Sequence, residues 1–568
     1  VTLDELELQV REKEPTKVEP PKEEVILYDK EKPRTEDELK ILSMLGEKIV
    51  TEEKLTFKQK FDNFYQKTID SLDPLHRLED GDIVYKEARL YKAWKSKVDH
   101  FIRTGTFAFK REGGELVVNG EGFGNIIKDI KDPDGFKAYA ASKRTIEKSA
   151  QGKETGFDLE SANEVIKRGS KEHEANFRRL VDFQDRVMTY ARDSEILSKE
   201  SYERILEMSK DYIPFHRILD PDLFASKSKG RGIFKRFKGS ENKVVDPIAT
   251  IMENTTAIIK LAEKNRVLKD FVIHAEAKNF IQLSKSKAFA VEVKPKEIEK
   301  FLDEQGIGEG DIDLFESLKV FRRINSNIKD NQIVVRENGK TKVYDALPEF
   351  SEAIRSLDYN PALTGLLGNI VKTSANVMRF TITSMPDFTV GNAVRDQFTA
   401  GVQGKGLSAP FTNFLSSMGH LWKKDEVWQK FLREGGASGV FGDLKTYFDK
   451  DIWQLNKETG FMDNAFNVMK HPLEALDAVN QFVENIPRIT EFKKAGMGKE
   501  GAYAAREVTI DFSRRGSSEA LKVWAEATPF LNAGIQGLDK FGRTIKENPG
   551  KTFATGIATI TIPTVAFW

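Results

Sequence analysis

The chain has 568 residues, 31% of them charged and 39% hydrophobic, and its 89 basic residues balance its 89 acidic ones. That balance supplies no general pull toward nucleic acid or anionic lipid, so any such affinity must be local. Cysteine is absent, which excludes disulfides, thiolate nucleophiles and cysteine-based zinc sites.

Residues 1–35 read as a disordered or docking tether. The stretch 11–24 is rich in proline and charge and cannot bury enough apolar area to fold alone. The opening Val1-Thr2-Leu3-Asp4-Glu5 is acidic and lacks the apolar segment of a signal peptide. A first residue other than Met fits a piece of a longer polypeptide.

Residues 36–217 read as an N-terminal helical domain. Leu39, Leu42 and Leu45, then Phe57, Phe61, Phe64 and Ile69, recur at helical spacing. Asp73-Pro74 marks a break, and a further helix is expected over 85–98. Segments 106–110 and 115–118 flank Gly113-Gly114 as in a hairpin. Helices resume from Phe136. The clearest helix is 171–192, with Phe177, Leu180, Val181, Val187, Met188 and Ala191 on one face. Ser198 caps the next one.

Residues 218–350 read as a mixed α/β middle region. Its loop carries Lys227, Lys229, Arg231, Lys235, Arg236 and Lys238, with Phe234 and Phe237 interleaved. Such a cluster can neutralise phosphates while its rings stack on bases, or meet anionic lipid headgroups; the same composition also fits a solvated loop. Residues 244–275 return to helix. In 332–344 alternating strands flank Asn338-Gly339, the pair that a type I′ turn favours. Residues 351–568 read as a C-terminal helical domain. The fold class is therefore mainly α, an elongated multi-helical assembly with small β-hairpin insertions near 106–118 and 332–344.

No constellation of nucleophile, base and orienting group emerges, so no catalytic residue, metal or cofactor is assigned and an enzyme is not expected. The seven histidines form no close pair with metal-ligand spacing. Gly120, Gly122 and Gly124 lack a surrounding βαβ pattern and read as turn chemistry.

The stretch 552–568 is uncharged but shorter than the roughly 20 residues of a spanning helix. Lys540, Arg543, Lys546 and Lys551 precede it. With Phe553, Ile557, Ile560, Ile562, Val565, Phe567 and Trp568 they form a membrane or interface candidate, either facing headgroups or buried between subunits.

Several ordered blocks carry a family resemblance. They are Met385 to Asp396, with Pro386, Phe388, Asn392, Arg395 and Asp396; Glu484 to Lys494, with Arg488 and Glu491; Ala504 to Gly516; and Thr528 to Arg543, with Pro529, Phe530 and Asn532. They are similar to the large polyvalent-protein-associated helical domain of internal virion proteins of tailed phages. The resemblance implies a protein stored in the virion and ejected with the genome, acting afterwards in the host cell envelope. It implies a homo-oligomer, contacts with other ejection or portal proteins, phage DNA passing near, and contact with the envelope membrane. A capsid or portal core protein, or a nucleic-acid-binding accessory to a virion RNA polymerase, are the alternatives. The resemblance brings no catalytic residues; Arg395-Asp396 and Arg488-Glu491 read as structural ion pairs between helices.

Overall fold

A computed structural model describes residues 56–109, 116–150, 158–208, 247–284, 331–358, 414–437, 472–509, 513–528, 531–547, 549–550 and 552–553. By compactness the chain divides into Val1–Gln59 and Lys60–Trp568. In the first unit Thr56 and Gln59 form a reciprocal cap: Gln59 N donates to Thr56 Oγ1 at 3.2 Å, and Thr56 N to Gln59 Oε1 at 2.8 Å. This starts α1 (Phe57–Thr68).

In chain order follow a 3-10 turn (Asp73–Arg77), α2 (Gly81–Tyr91) and α3 (Trp94–Asp99), which runs into a π turn (His100–Thr104). Next come β1 (Gly105–Phe109), β2 (Leu116–Glu121), α4 (Phe123–Lys128), α5 (Pro133–Ala150), α6 (Leu159–Arg168), α7 (Lys171–Asp193) and α8 (Lys199–Met208). The long α9 (Pro247–Glu276) leads to β3 (Ile281–Leu283), β4 (Gln332–Glu337), β5 (Lys340–Ala346) and α10 (Pro348–Arg355). The C-terminal helices are α11 (Phe414–Lys423), α12 (Glu426–Arg433), α13 (Pro472–Lys494), α14 (Lys499–Glu507), α15 (Glu519–Ala527) and α16 (Leu531–Glu547). The protein is mainly α, with two small antiparallel sheets.

The expected hairpins form. β1 pairs with β2, with a register shift after Thr106. β4 pairs with β5 through Asn338 (φ 46°) and Gly339 (φ 73°), and β3 adds to the outer side of β5. Both turn residues adopt the positive φ that a type I′ turn requires. The expected single helix over 85–98 breaks at Lys92-Ala93, and helix resumes at Phe123, ahead of Phe136.

One continuous core runs from Val98 to Ala262, and in it Phe101, Phe107 and Tyr190 meet edge to face at centroid distances of 4.7 to 5.6 Å. α7 fills it because Phe177, Leu180, Phe183, Val187 and Ala191 recur every third or fourth residue. A second core joins α2, the latter half of α9, the three-stranded sheet and α10. A third joins α11 to α14. The second core draws on residues 72–91, 267–281 and 333–357 together, so it crosses the sequence-based divisions near 217 and 350.

Candidate functional site

The most concentrated chemistry in the described residues is a buried polar seam. It joins the segment after α1 to α14, α15 and α16. Backbone contacts set it up: Ser71 N donates to Arg515 O at 2.8 Å, Ser517 N to Gln66 O at 3.1 Å and Ser518 N to Lys67 O at 3.0 Å. Gly516 makes this approach feasible, since a Cβ there would lie 2.2 Å from Lys67 O.

Arg514 is the hub. It donates from Nε to Asp70 Oδ2 at 2.7 Å, from Nη1 to Asp539 Oδ2 at 2.7 Å and from Nη2 to Tyr65 Oη at 2.9 Å. Asp70 also accepts from Tyr85 Oη at 2.5 Å and from Leu72 N at 3.0 Å. Burial acts to raise the Asp70 carboxyl, but the Arg514 and Arg89 charges outweigh it and hold it below the usual range. Burial drives the Tyr65 and Tyr85 hydroxyls up, so both stay neutral donors. Arg543 donates to Asp539 at 3.0 Å and to Glu507 at 3.3 Å.

Lys540 and Arg543, expected on a strip facing a membrane or partner, turn into this seam. Lys540 is 8% exposed and donates to the Thr509 carbonyl at 2.7 Å and to that of Glu507. For Lys540 the physical reason is that the last carbonyls of a helix lack intrahelical partners, and a cation there complements the helix dipole. Lys546 and Phe553 are exposed. Asn532 donates to Arg514 O at 3.2 Å.

Arg488 and Glu491, expected as an ion pair between helices, lie on one helix, α13. Both are buried. Arg488 donates to Glu484 Oε1 at 2.5 Å and to Thr509 Oγ1 at 2.9 Å, while Glu491 accepts from Lys494 at 2.8 Å. The 227–238 cluster, Pro386, Phe388, Asn392, Arg395, Asp396, Pro529, Phe530, Lys551 and 557–568 lie outside the described residues.

Further buried charge clusters have no counterpart in the sequence reading. Glu263 is held by Lys97, Tyr190 and, at 3.3 Å, Arg266. Burial opposes its ionisation, yet the Lys97 and Arg266 charges bring it down to about 2. Asp358 accepts from Lys264 at 2.5 Å and from Tyr91 at 3.1 Å. Lys92 donates to the Leu357 carbonyl at 2.8 Å, and burial lowers its ammonium to about 7. Glu87 and Asp270 share a hydrogen bond beside Lys499; burial and the Glu87 charge push Asp270 up to about 7, whereas Glu87 falls to about 2. Apart from Glu263 and Arg266, three positions apart on α9, only the tertiary fold brings these residues together, so spacing along the chain carried no signal for them.

Chemically, these clusters tie helices to one another. Their arginines and lysines are committed to carboxylates and carbonyls, the pattern of a structural network. Burial lowers His100 to about 4, and the neutral ring donates from Nδ1 to the Gly105 carbonyl at 2.6 Å. Among the described residues no group of His, Asp and Glu side chains could hold a metal ion, and no helix is long and apolar enough to cross a membrane. No family model, curated protein or solved structure matches this chain.

Proposed function

We propose that the chain is an internal virion protein of a tailed phage, ejected with the genome, whose copies assemble into part of a trans-envelope DNA-delivery conduit. The reading rests on the ordered motif blocks between Met385 and Arg543. The described members of the last two blocks hold the C-terminal segments together: Arg514, Gly516 and Gln536 meet residues 65–70, and Asn532, Lys540 and Arg543 meet residues 507–514. Arg506 donates to Ser513 at 2.7 Å and Gln536 to the Ile69 carbonyl at 2.8 Å.

A cysteine-free chain is also compatible with passage between reducing and oxidising compartments. The test is fractionation of host cells shortly after infection. The reading predicts the chain in the envelope fraction. Recovery solely with emptied particles outside the cell would leave a capsid or portal core protein instead.

A further inference from the structure

α1 carries polar groups inward and aromatic ones outward, the reverse of an ordinary surface helix. Steps of four and three residues bring Phe57, Phe61 and Phe64 to within about 60° of one another around the helix axis, and they are 87%, 55% and 58% exposed. Gln66, on the opposite side, is buried. Its Nε2 donates to the Glu349 carbonyl at 2.9 Å, and its own carbonyl accepts from Ser517 N at 3.1 Å. The polar side therefore pins the helix, and the phenylalanine row faces out. Lysines flank that row, Lys58 on one side and Lys60 with Lys67 on the other, and all three are exposed. Lys67 reaches Glu352 at 3.1 Å, whereas Lys58 and Lys60 have no carboxylate partner among the described residues. Asp62, the only acidic residue of α1, is half-buried on the side turned from the row.

We propose that this face of α1 lies on an anionic lipid surface, with the rings in the acyl boundary and the lysines at the headgroups. Area and charge select lipid over a protein partner. The three rings leave about 400 Å² in water, half of the roughly 800 Å² per partner that a stable protein interface buries. The exposed charge of α1 is of one sign, which complements anionic headgroups, and lysine beside a phenylalanine face is the composition of helices that lie in a membrane interface. Single-stranded nucleic acid would meet the same lysines, but its bases stack on open ring faces, and Phe61 already stacks on Tyr65 at 6.2 Å between centroids. The phenylalanine row has no part in the conduit reading, so lipid contact and ejection stand or fall separately.

The test is co-sedimentation of the full chain with vesicles of phosphatidylcholine, alone or mixed with phosphatidylglycerol. Wild type is compared with Phe61→Ser/Phe64→Ser and with Lys58→Gln/Lys60→Gln, all at exposed positions, with circular dichroism to verify that helix content is unaltered. Wild type should prefer the mixed vesicles. Each lysine near an anionic surface contributes about fivefold, so the lysine variant should lose roughly thirtyfold in affinity for them. The phenylalanine variant should lose at least about tenfold on the same vesicles. Ile273→Ser, at an exposed apolar position of α9, should bind as wild type does. Absence of vesicle binding by wild type, or equal binding to both vesicle types, overturns the proposal. Variants that bind as tightly as wild type also overturn it, because lipid contact then lies elsewhere in the chain. So does loss of single-stranded DNA binding or of self-association by the phenylalanine variant with vesicle binding intact, which would name a different occupant. Should wild type and variants behave as expected while the chain stays in emptied particles, lipid contact stands and ejection falls.

Discussion

Arg514 and Asp70 lie 444 positions apart in sequence, yet their side chains meet at 2.7 Å with both groups buried. Asp70 precedes α2 and Arg514 precedes α15, so this pair fastens the C-terminal helices to the start of the helical body. Arg514→Ala leaves a buried carboxylate without its main partner and should cost about 3–5 kcal/mol. Replacing both members, as Arg514→Met with Asp70→Leu, should cost much less, because no lone charge remains. Chemical denaturation with hydrogen exchange on α1 and α16 checks both; equal losses in the single and double variants would contradict the assignment.

A pH dependence follows from Glu87 and Asp270. The folded value of Asp270, about 7, lies above its ordinary value of about 3.9. The folded state therefore binds the extra proton. Its contribution is fully present below about pH 4 and is lost as pH rises through about 7. Glu87 is shifted the other way, so its contribution is lost only in strong acid, as pH falls through about 2. Between pH 5.5 and 8.5 the α2–α9–α14 contact should weaken. Asp270→Asn, which keeps a donor toward Glu87, should flatten that slope in thermal melts; an unchanged slope would refute the assignment.

Two phenylalanines separate core from surface. Phe183 is fully buried in the largest core and Phe61 is 55% exposed. Phe183→Ala should lose about 3–5 kcal/mol, whereas Phe61→Ala should stay within about 0.5 kcal/mol. Paired urea titrations distinguish them.

Gly339 turns the β4–β5 hairpin at φ 73°, and a Cβ there would lie 2.6 Å from Ser198 N. Its own N donates to Glu195 O at 2.9 Å. Gly339→Ala should cost at least about 1 kcal/mol through left-handed strain and the clash. Faster amide exchange across β4 and β5 would report it.

Much of the local structure was legible in the sequence. The β4–β5 hairpin was written in Asn338-Gly339, and α7 in its apolar spacing, because turn chemistry and helical period act over a few residues. The facing of helices was less legible. Phe57, Phe61 and Phe64 mark α1 correctly as a helix but point to solvent, since periodicity locates an apolar face without saying what covers it. Lys540 and Arg543 looked like surface charges beside an apolar run. Lys540 turns inward to the carbonyls at the end of α14 and Arg543 to the Glu507 carboxylate there, partners more than 30 residues away in sequence. Glu263 with Lys97, and Asp70 with Arg514, are pairings of long sequence separation that no local pattern encodes.

Ejection with the genome can be read from quantitative mass spectrometry of purified particles, before and after DNA release is triggered. An ejected chain is present in full particles and lost from emptied ones. Retention at undiminished copy number would contradict it and make the chain a resident component of the capsid or portal.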